Sequence, residues 1–279
     1  MIVFPNCKIN LGLNILRKRS DGYHDIETIF YPIPLTDALE IIENKSQNKN
    51  AALPFTSSGL PIIGNPDTNL CVKAYQILKK DFPNLPAVFI YLHKIIPIGA
   101  GLGGGSADGA FAMKAINEMF ALGVTTEQLI TYSLNLGSDC PFFIINKPCF
   151  ATGQGEKLEE IAVDLSAYKI LIVSPGIHID TGRAFLNITP ATPERSIKEI
   201  ITDPIEHWKD ILKNDFEKQA FKQYPEIFDI KNILYHHGAI YASMTGTGST
   251  VFGIFPAGKK IEFSFPENYF VKELQGGLQ

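Results

Sequence analysis

The chain has 279 residues, 45% apolar and 19% charged, with 25 Lys and Arg against 29 Asp and Glu for a net charge of −4. That length carries about two ordinary domains without disulfide or metal staples, and the composition excludes wholesale disorder, a collagen repeat and a membrane bundle. Only Arg17, Arg19, Arg183 and Arg195 carry a guanidinium and the cations are not clustered, so broad capture of a nucleic-acid backbone is excluded while a local anion site is not.

Cys7, Cys71, Cys140 and Cys149 form no Cys-x-x-Cys pair and read as reduced packing residues. The start, Met1-Ile-Val-Phe-Pro-Asn, has neither a basic leader nor a long apolar run, so a cytoplasmic location is expected. The charge-free stretch 239–257 is centred on Thr245-Gly-Thr-Gly-Ser-Thr and reaches Pro256. It reads as strand, glycine loop and strand rather than a spanning helix.

In chain order, Ile9, Leu11, Leu13 and Ile15 alternate with polar or small residues, as in a half-buried strand. The basic tip Arg17-Lys-Arg-Ser-Asp-Gly-Tyr-His turns at Asp21-Gly22, and 26–33 reads as the returning strand. Residues 44–66, rich in Asn, Lys, Gly and Pro, are expected to be loops. Leu70, Ala74, Ile77 and Leu78 have helical spacing, and Val88, Ile90 and Leu92 alternate as a strand. Beyond a glycine-rich segment, a helix is expected from an N-cap at Ser106 to Gly123, and another over 126–136. Gly137-Ser-Asp-Cys-Pro leads into the apolar run 142–145, and Thr152-Gly-Gln-Gly-Glu reads as a hairpin turn. A boundary placed there divides the chain into domains 1–152 and 153–279. In the second, 169–173 reads as a strand, 196–221 and 226–236 as helices with solvated faces, and two strands bracket Gly246-Thr-Gly-Ser.

The sharpest feature is Pro97-Ile-Gly-Ala-Gly-Leu-Gly-Gly-Gly-Ser-Ala-Asp, between a predicted strand and a predicted helix. Gly99, Gly101, Gly103, Gly104 and Gly105 remove the side chains that would hold a bulky anion off the backbone amides, and a helix start adds unpaired N–H groups. A phosphate-binding loop over Pro97, Gly99, Ala100, Gly101, Leu102, Gly103, Gly104, Gly105 and Ser106 follows. It lacks the Gly-Lys-Ser/Thr ending of a P-loop. Gly99-x-Gly101-x-x-Gly104 matches the dinucleotide fingerprint as written, yet Gly123-Val-Thr-Thr-Glu-Gln reads as a helix start where an acidic strand end is required. An NAD-dependent oxidoreductase and a noncatalytic nucleotide or RNA binder stand as the alternatives of other classes.

Pro-x-Gly-x-Gly-Leu-Gly-Gly-Gly-Ser resembles the phosphate loop of the superfamily of galactokinase, homoserine kinase, mevalonate kinase and phosphomevalonate kinase. Lys8-Ile-Asn-Leu and Thr245-Gly-Thr-Gly-Ser are similar to its other two motifs, in the same order. Asp21-Gly-Tyr-His and Gly137-Ser-Asp-Cys-Pro-Phe-Phe resemble the branch that phosphorylates a cytidine diphosphate-linked polyol on a non-mevalonate isoprenoid route. The resemblance implies an ATP-dependent small-molecule kinase of α/β (α+β) class, using Mg2+. It implies an N-terminal domain like ribosomal protein S5, a ferredoxin-like C-terminal domain, and an active site in the cleft between them. A mevalonate or homoserine kinase is the rival within the superfamily.

The same resemblance implies site residues. Lys8 and Asp139 are the expected catalytic pair, Asp139 to orient and deprotonate the acceptor alcohol, Lys8 to keep Asp139 ionised and lower the hydroxyl's pKa. Asn69 is expected at the base or ribose, Lys94 as a phosphate neighbour or an exposed strand end, and Ser106 as a phosphate donor or an aid to Mg2+. Tyr23 and His24 would stack on and hydrogen-bond a pyrimidine, with Phe185 closing the other side. Asn10 shares the strand face of Lys8 and is expected to reach the same ligand. Asp108, near the helix start, either points away from the phosphates or acts with the metal through water. The expected partner is a small molecule, with neither nucleic acid nor membrane, and the oligomeric state is not set by these residues.

Overall fold

The structure, a computed structural model, describes residues 1–45, 54–186, 188–260 and 262–278. In chain order its strands are β1 (Ile2–Val3), β2 (Asn6–Lys18), β3 (His24–Thr36), β4 (Ala38–Glu43), β5 (Phe55–Gly59), β6 (Val88–Lys94), β7 (Cys149–Gly153), β8 (Lys157–Glu160), β9 (Tyr168–Ser174), β10 (Tyr241–Met244), β11 (Val251–Pro256) and β12 (Phe270–Gln275). Its helices are α1 (Leu70–Asp81), α2 (Gly104–Met119), α3 (Thr126–Ser133), α4 (Cys140–Ile145), α5 (Thr181–Leu186), α6 (Ile197–Ile200), α7 (Trp208–Ile211), α8 (Glu217–Gln223) and α9 (Pro225–His236). No described helix is long and apolar enough to cross a membrane.

The contacts divide the chain into two compact units, one comprising Met1–Cys7, Leu35–Ile98 and Gly103–Asn146, the other Lys8–Pro34, Gly99–Leu102 and Lys147 to the C-terminus. In the first unit a sheet runs in the order β1-β4-β6-β5, antiparallel except for the parallel β5–β6 pair. Leu39, Ile41, Val88, Ile90 and Leu92 are its buried residues, as the alternation in 88–92 requires. Helices α1 and α2 pack on one another, and Ala74 and Leu78 of α1 and Ala112 and Ile116 of α2 are among their buried residues. Thr125 caps α3 in a reciprocal capping box with Gln128.

The second unit holds two antiparallel sheets, β2-β3-β7-β8 and β10-β11-β9-β12. Leu171, Val173, Met244, Val251 and Phe255 of the latter join Leu13, Ile15 and Ile26 in one core with Ile227, Ile230 and Leu234 of α9. This explains why the units do not follow the contiguous division at 152. The β2–β3 hairpin continues into β7 and β8, while Leu13 exchanges backbone hydrogen bonds with Lys213 and Asp215. Residues 8–34 therefore group with the C-terminal half.

Other expectations are corrected. Within 44–66, Phe55–Gly59 is a parallel edge strand rather than a loop, and residues 46–53 lie outside the described residues. The helix over 196–221 is broken into α6, α7 and α8, because Pro204 cannot continue α6 and the buried Asn214 turns its side chain onto backbone groups. Helix α2 closes at Met119 rather than Gly123, and β12 is an additional edge strand on β9.

Asn214 ties the segment between α7 and α8 to the glycine loop that follows β10. Its Nδ2 donates to the carbonyls of Met244 at 2.7 Å and Gly246 at 2.9 Å, and its Oδ1 accepts the Phe216 N–H at 3.0 Å. Asn214→Ala leaves three backbone groups without these partners in a site 3% exposed. The expected loss is about 2–4 kcal/mol, seen in urea denaturation as a lowered midpoint with an unchanged slope.

Candidate active site

Lys8 and Asn10 point to the same side of β2, two residues apart. Lys8 is 3% exposed, and its ammonium donates to Asn10 Oδ1 at 2.7 Å and to the Gly101 carbonyl at 3.1 Å while sitting 5.0 Å over the Phe30 ring. The Lys8 backbone N–H bonds the Leu102 carbonyl at 3.0 Å. The strand end and the middle of the glycine loop are thus joined by both main chain and side chain.

Asn10 is 1% exposed and its amide is fully used. Oδ1 accepts from Lys8 Nζ, from Thr245 Oγ1 at 3.0 Å and from the Gly246 N–H at 2.9 Å, while Nδ2 donates to Thr28 Oγ1 at 2.9 Å. Asn10 thereby organises Lys8 and the loop after β10. Thr245 Oγ1 also lies 3.1 Å from the Gly101 carbonyl, and the Thr250 N–H bonds the Ala100 carbonyl. Gly101 has φ +83°, and a Cβ there would stand 2.0 Å from the Thr245 carbonyl oxygen. The two glycine motifs seen as separate segments in the sequence therefore lie against each other.

In the first unit, Gly103, in the left-handed region, is the N-cap of α2 and the helix begins at Gly104. This corrects Ser106 as the cap: it lies in the first turn, half-buried, and its hydroxyl hydrogen-bonds Cys140. Burial pushes the Cys140 thiol up to about 12, so it stays protonated and unreactive at neutral pH. Asp139, next to it, is half-buried at the N-cap position of α4 and makes no side-chain capping bond. A cavity of about 280 Å³ lies beside Gly105, walled by Phe55, Asn65, Thr68, Asn69 and Asp108 among others. Asn69 caps α1 by accepting the Cys71 N–H at 2.9 Å and also lines this cavity. A Cβ on Gly105 would meet no protein atom within 4 Å.

Lys94 is neither an exposed strand end nor a group directed outward. It is 2% exposed, and its ammonium lies 2.5 Å from Asp37 Oδ2 and 2.6 Å from Asp108 Oδ2. Asp108 accordingly turns inward onto Lys94. A lysine among apolar residues requires such partners, but Asp37 lies 57 positions away and nothing local announced it.

At the hairpin tip of the second unit, His24 and Phe185 are stacked at 5.0 Å with 21° between their planes, and Phe185 meets Phe216 edge-on at 4.9 Å. Tyr23 beside them is 61% exposed. Partial burial, with a smaller push from Lys18, holds the His24 imidazole below its ordinary 6.5, so at pH 7 it is neutral and offers one donor and one acceptor. Residues that the sequence reading missed include Thr28, Asn214 and Asp37, all buried polar groups that act through backbone or other side chains, and Asn65 and Thr68 in the cavity wall. The Asn65-Pro-Asp-Thr turn signal was available for the last two. Among the described residues no group of three or more His, Cys, Asp or Glu could hold a metal ion.

The GHMP kinases N terminal domain model matches residues 69–147 and the GHMP kinases C terminal model residues 196–269. A 4-diphosphocytidyl-2-C-methyl-D-erythritol kinase of Bacteroides fragilis is 54% identical over 262 residues, 94% of each chain. That of Bacteroides thetaiotaomicron is 51% identical over 271 residues, covering 97% of this chain and 98% of its own. The crystal structure of a 4-(cytidine 5'-diphospho)-2C-methyl-D-erythritol kinase superposes with a TM-score of 0.79 at 26% identity, over 99% of this chain and 100% of that one. A mevalonate kinase at 16% identity shares the fold, with a TM-score of 0.68 over 93% and 92% of the two chains. The dinucleotide fingerprint is a coincidence of spelling, because β6, which leads into the loop, pairs antiparallel with β4 and parallel only with the edge strand β5.

Two glycines of the loop separate packing from access. Gly101→Ala forces a side chain into the left-handed region, worth about 1–2 kcal/mol, before the overlap with Thr245 is counted. A clear drop in melting temperature is expected for it, and no change for Gly105→Ala, by differential scanning calorimetry.

Proposed function

The chain belongs to the GHMP kinases and among them to the 4-diphosphocytidyl-2-C-methyl-D-erythritol kinases, and from that membership we propose how its own residues carry the reaction. It is an ATP-dependent kinase acting on 4-diphosphocytidyl-2-C-methyl-D-erythritol in the methylerythritol phosphate route to isoprenoids. The acceptor in our reading is the 2-hydroxyl. Its oxygen forms a bond to the γ-phosphorus as the bond to the β,γ-bridging oxygen breaks, ADP leaves, and the hydroxyl proton passes to the Asp139 carboxylate.

The observation that carries this reading is the seat of Lys8. An ammonium buried against the glycine loop by an amide oxygen and a carbonyl is held where negative charge develops, and it needs no rearrangement at the moment of transfer. Its charge favours the alkoxide over the alcohol. The amides of Gly99 to Gly105 receive the phosphates, helped by the start of α2, and Ser106 adds a hydroxyl. The nucleoside part of ATP occupies the cavity beside Asn69 and Gly105.

Mg2+ is a proposal of the same kind. It commonly keeps several waters and binds through phosphates with one or two protein oxygens, which suits a site offering one hydroxyl, Ser106, and one carboxylate, Asp139, rather than a protein cage. When bound, it offsets charge on the transferred phosphoryl group. Tyr23, His24 and Phe185 hold the cytosine, the imidazole supplying the donor and acceptor and the rings the stacking faces.

Incubation with ATP, Mg2+ and a panel of 4-diphosphocytidyl-2-C-methyl-D-erythritol, mevalonate and homoserine is expected to release ADP with the first alone. Asp139→Asn should lower kcat by about 10²–10⁴-fold while the Kd for ATP stays within a few-fold, since the lost interaction belongs to the transition state. An unchanged kcat removes Asp139 from the mechanism. His24→Ala should raise KM for the cytidine substrate and leave that for ATP alone. Equal effects on both would dismiss the cytosine seat.

A further inference from the structure

Three buried ionisable groups meet at the neck of the glycine loop. Asp37, at the corner between β3 and β4, is 1% exposed, Lys94, the last residue of β6, is 2%, and Asp108 of α2 is 3%. Asp37 Oδ1 accepts the backbone N–H groups of Ile95 and Ile96, the last residues before Pro97, at 2.5 and 2.9 Å. Its Oδ2 takes a bond from Lys94, whose ammonium also reaches Asp108 beyond the loop. The Ile96 side chain stands 2.8 Å from the place a Gly104 Cβ would occupy, so the two sides of the neck also touch.

We propose that Asp37, Lys94 and Asp108 form a staple across the neck of the nucleotide loop, and that Lys94 is a positioning residue for ATP rather than a phosphate ligand. The inference rests on the nucleotide reading given above. Two carboxylates share one ammonium here, and Asp108 Oδ1 is buried without a hydrogen-bond partner. Such a cluster is a poor device for stability alone, because apolar replacements of buried ion pairs are often neutral or better. What it supplies is geometry. The incoming side is oriented by Asp37 and the outgoing side by Asp108, with Lys94 fixing the span between them, and none of the three spends a loop amide. The amides stay free for phosphate and are aligned before it arrives, which lowers the ordering cost of binding.

The test uses steady-state kinetics and the affinity for ATP on the full chain. Lys94→Met and Asp108→Ala are each expected to raise KM and Kd for ATP at least tenfold, with KM for the cytidine substrate within twofold and kcat at saturating ATP within threefold. Asp108→Asn keeps an acceptor for Lys94 and is expected to raise KM and Kd for ATP less than Asp108→Ala does. Lower melting temperatures with unaltered ATP constants would overturn the proposal and leave a purely structural cluster, as would an Asn variant as impaired as the Ala one. Should Lys94→Met and Asp108→Ala fail to fold, Asp37→Asn takes their place, read by hydrogen exchange. Exchange of the Ile95 and Ile96 amides, which Asp37 accepts, should quicken at least fivefold while that of α3 is unchanged, and equal exchange in both overturns the proposal. A parent protein that neither binds ATP nor releases ADP would instead refute the nucleotide reading, and the exchange comparison would still decide on the staple.

Discussion

The side-chain amide of Asn10 is the contact on which the second unit's part of the site depends. One oxygen receives an ammonium, a hydroxyl and a backbone N–H, and one nitrogen holds a threonine on the neighbouring strand. No other side chain of this size offers an acceptor with room for several donors and a donor group on the same planar end. Aspartate would lose the bond to Thr28, and leucine would strand the Lys8 ammonium in an apolar setting at a cost of several kcal/mol. The positions of Lys8, Gly101 and Gly246 are consequences of this one residue.

Two buried lysines illustrate how the same chemistry is put to different ends. The Lys8 ammonium donates to the Asn10 amide oxygen and to the Gly101 carbonyl. Lys94 lies between two carboxylates, which cancel it and raise its pKa despite burial. These acceptors differ although both lysines are buried, and the bonds of Lys94 join distant pieces of chain.

Much of this was legible in the residues. The glycine-rich segment announced itself because density of glycine has few causes other than close approach of a ligand or backbone, and Gly101 exemplifies the second. Strands with alternating aliphatics, 9–15 and 88–92, were readable for the same reason that they are half-buried. Phe55–Gly59 was not, because an edge strand of Phe-Thr-Ser-Ser-Gly has one apolar residue and no alternation to show. The start of α2 was misplaced by three residues because Gly103 reaches a left-handed cap without a side chain. The partners of Lys94 and Asn10 come from distant elements, and pairing at such range leaves no mark in spacing.

The stacked rings of His24 and Phe185 have a kinetic meaning. At 5.0 Å they already touch, whereas a flat base between two faces needs them about 7 Å apart, two van der Waals gaps of about 3.5 Å each. In the cytosine seat proposed above, a base entering between the two faces would first have to part this internal pair, so that ligands which stack poorly would lose to a competition inside the polypeptide.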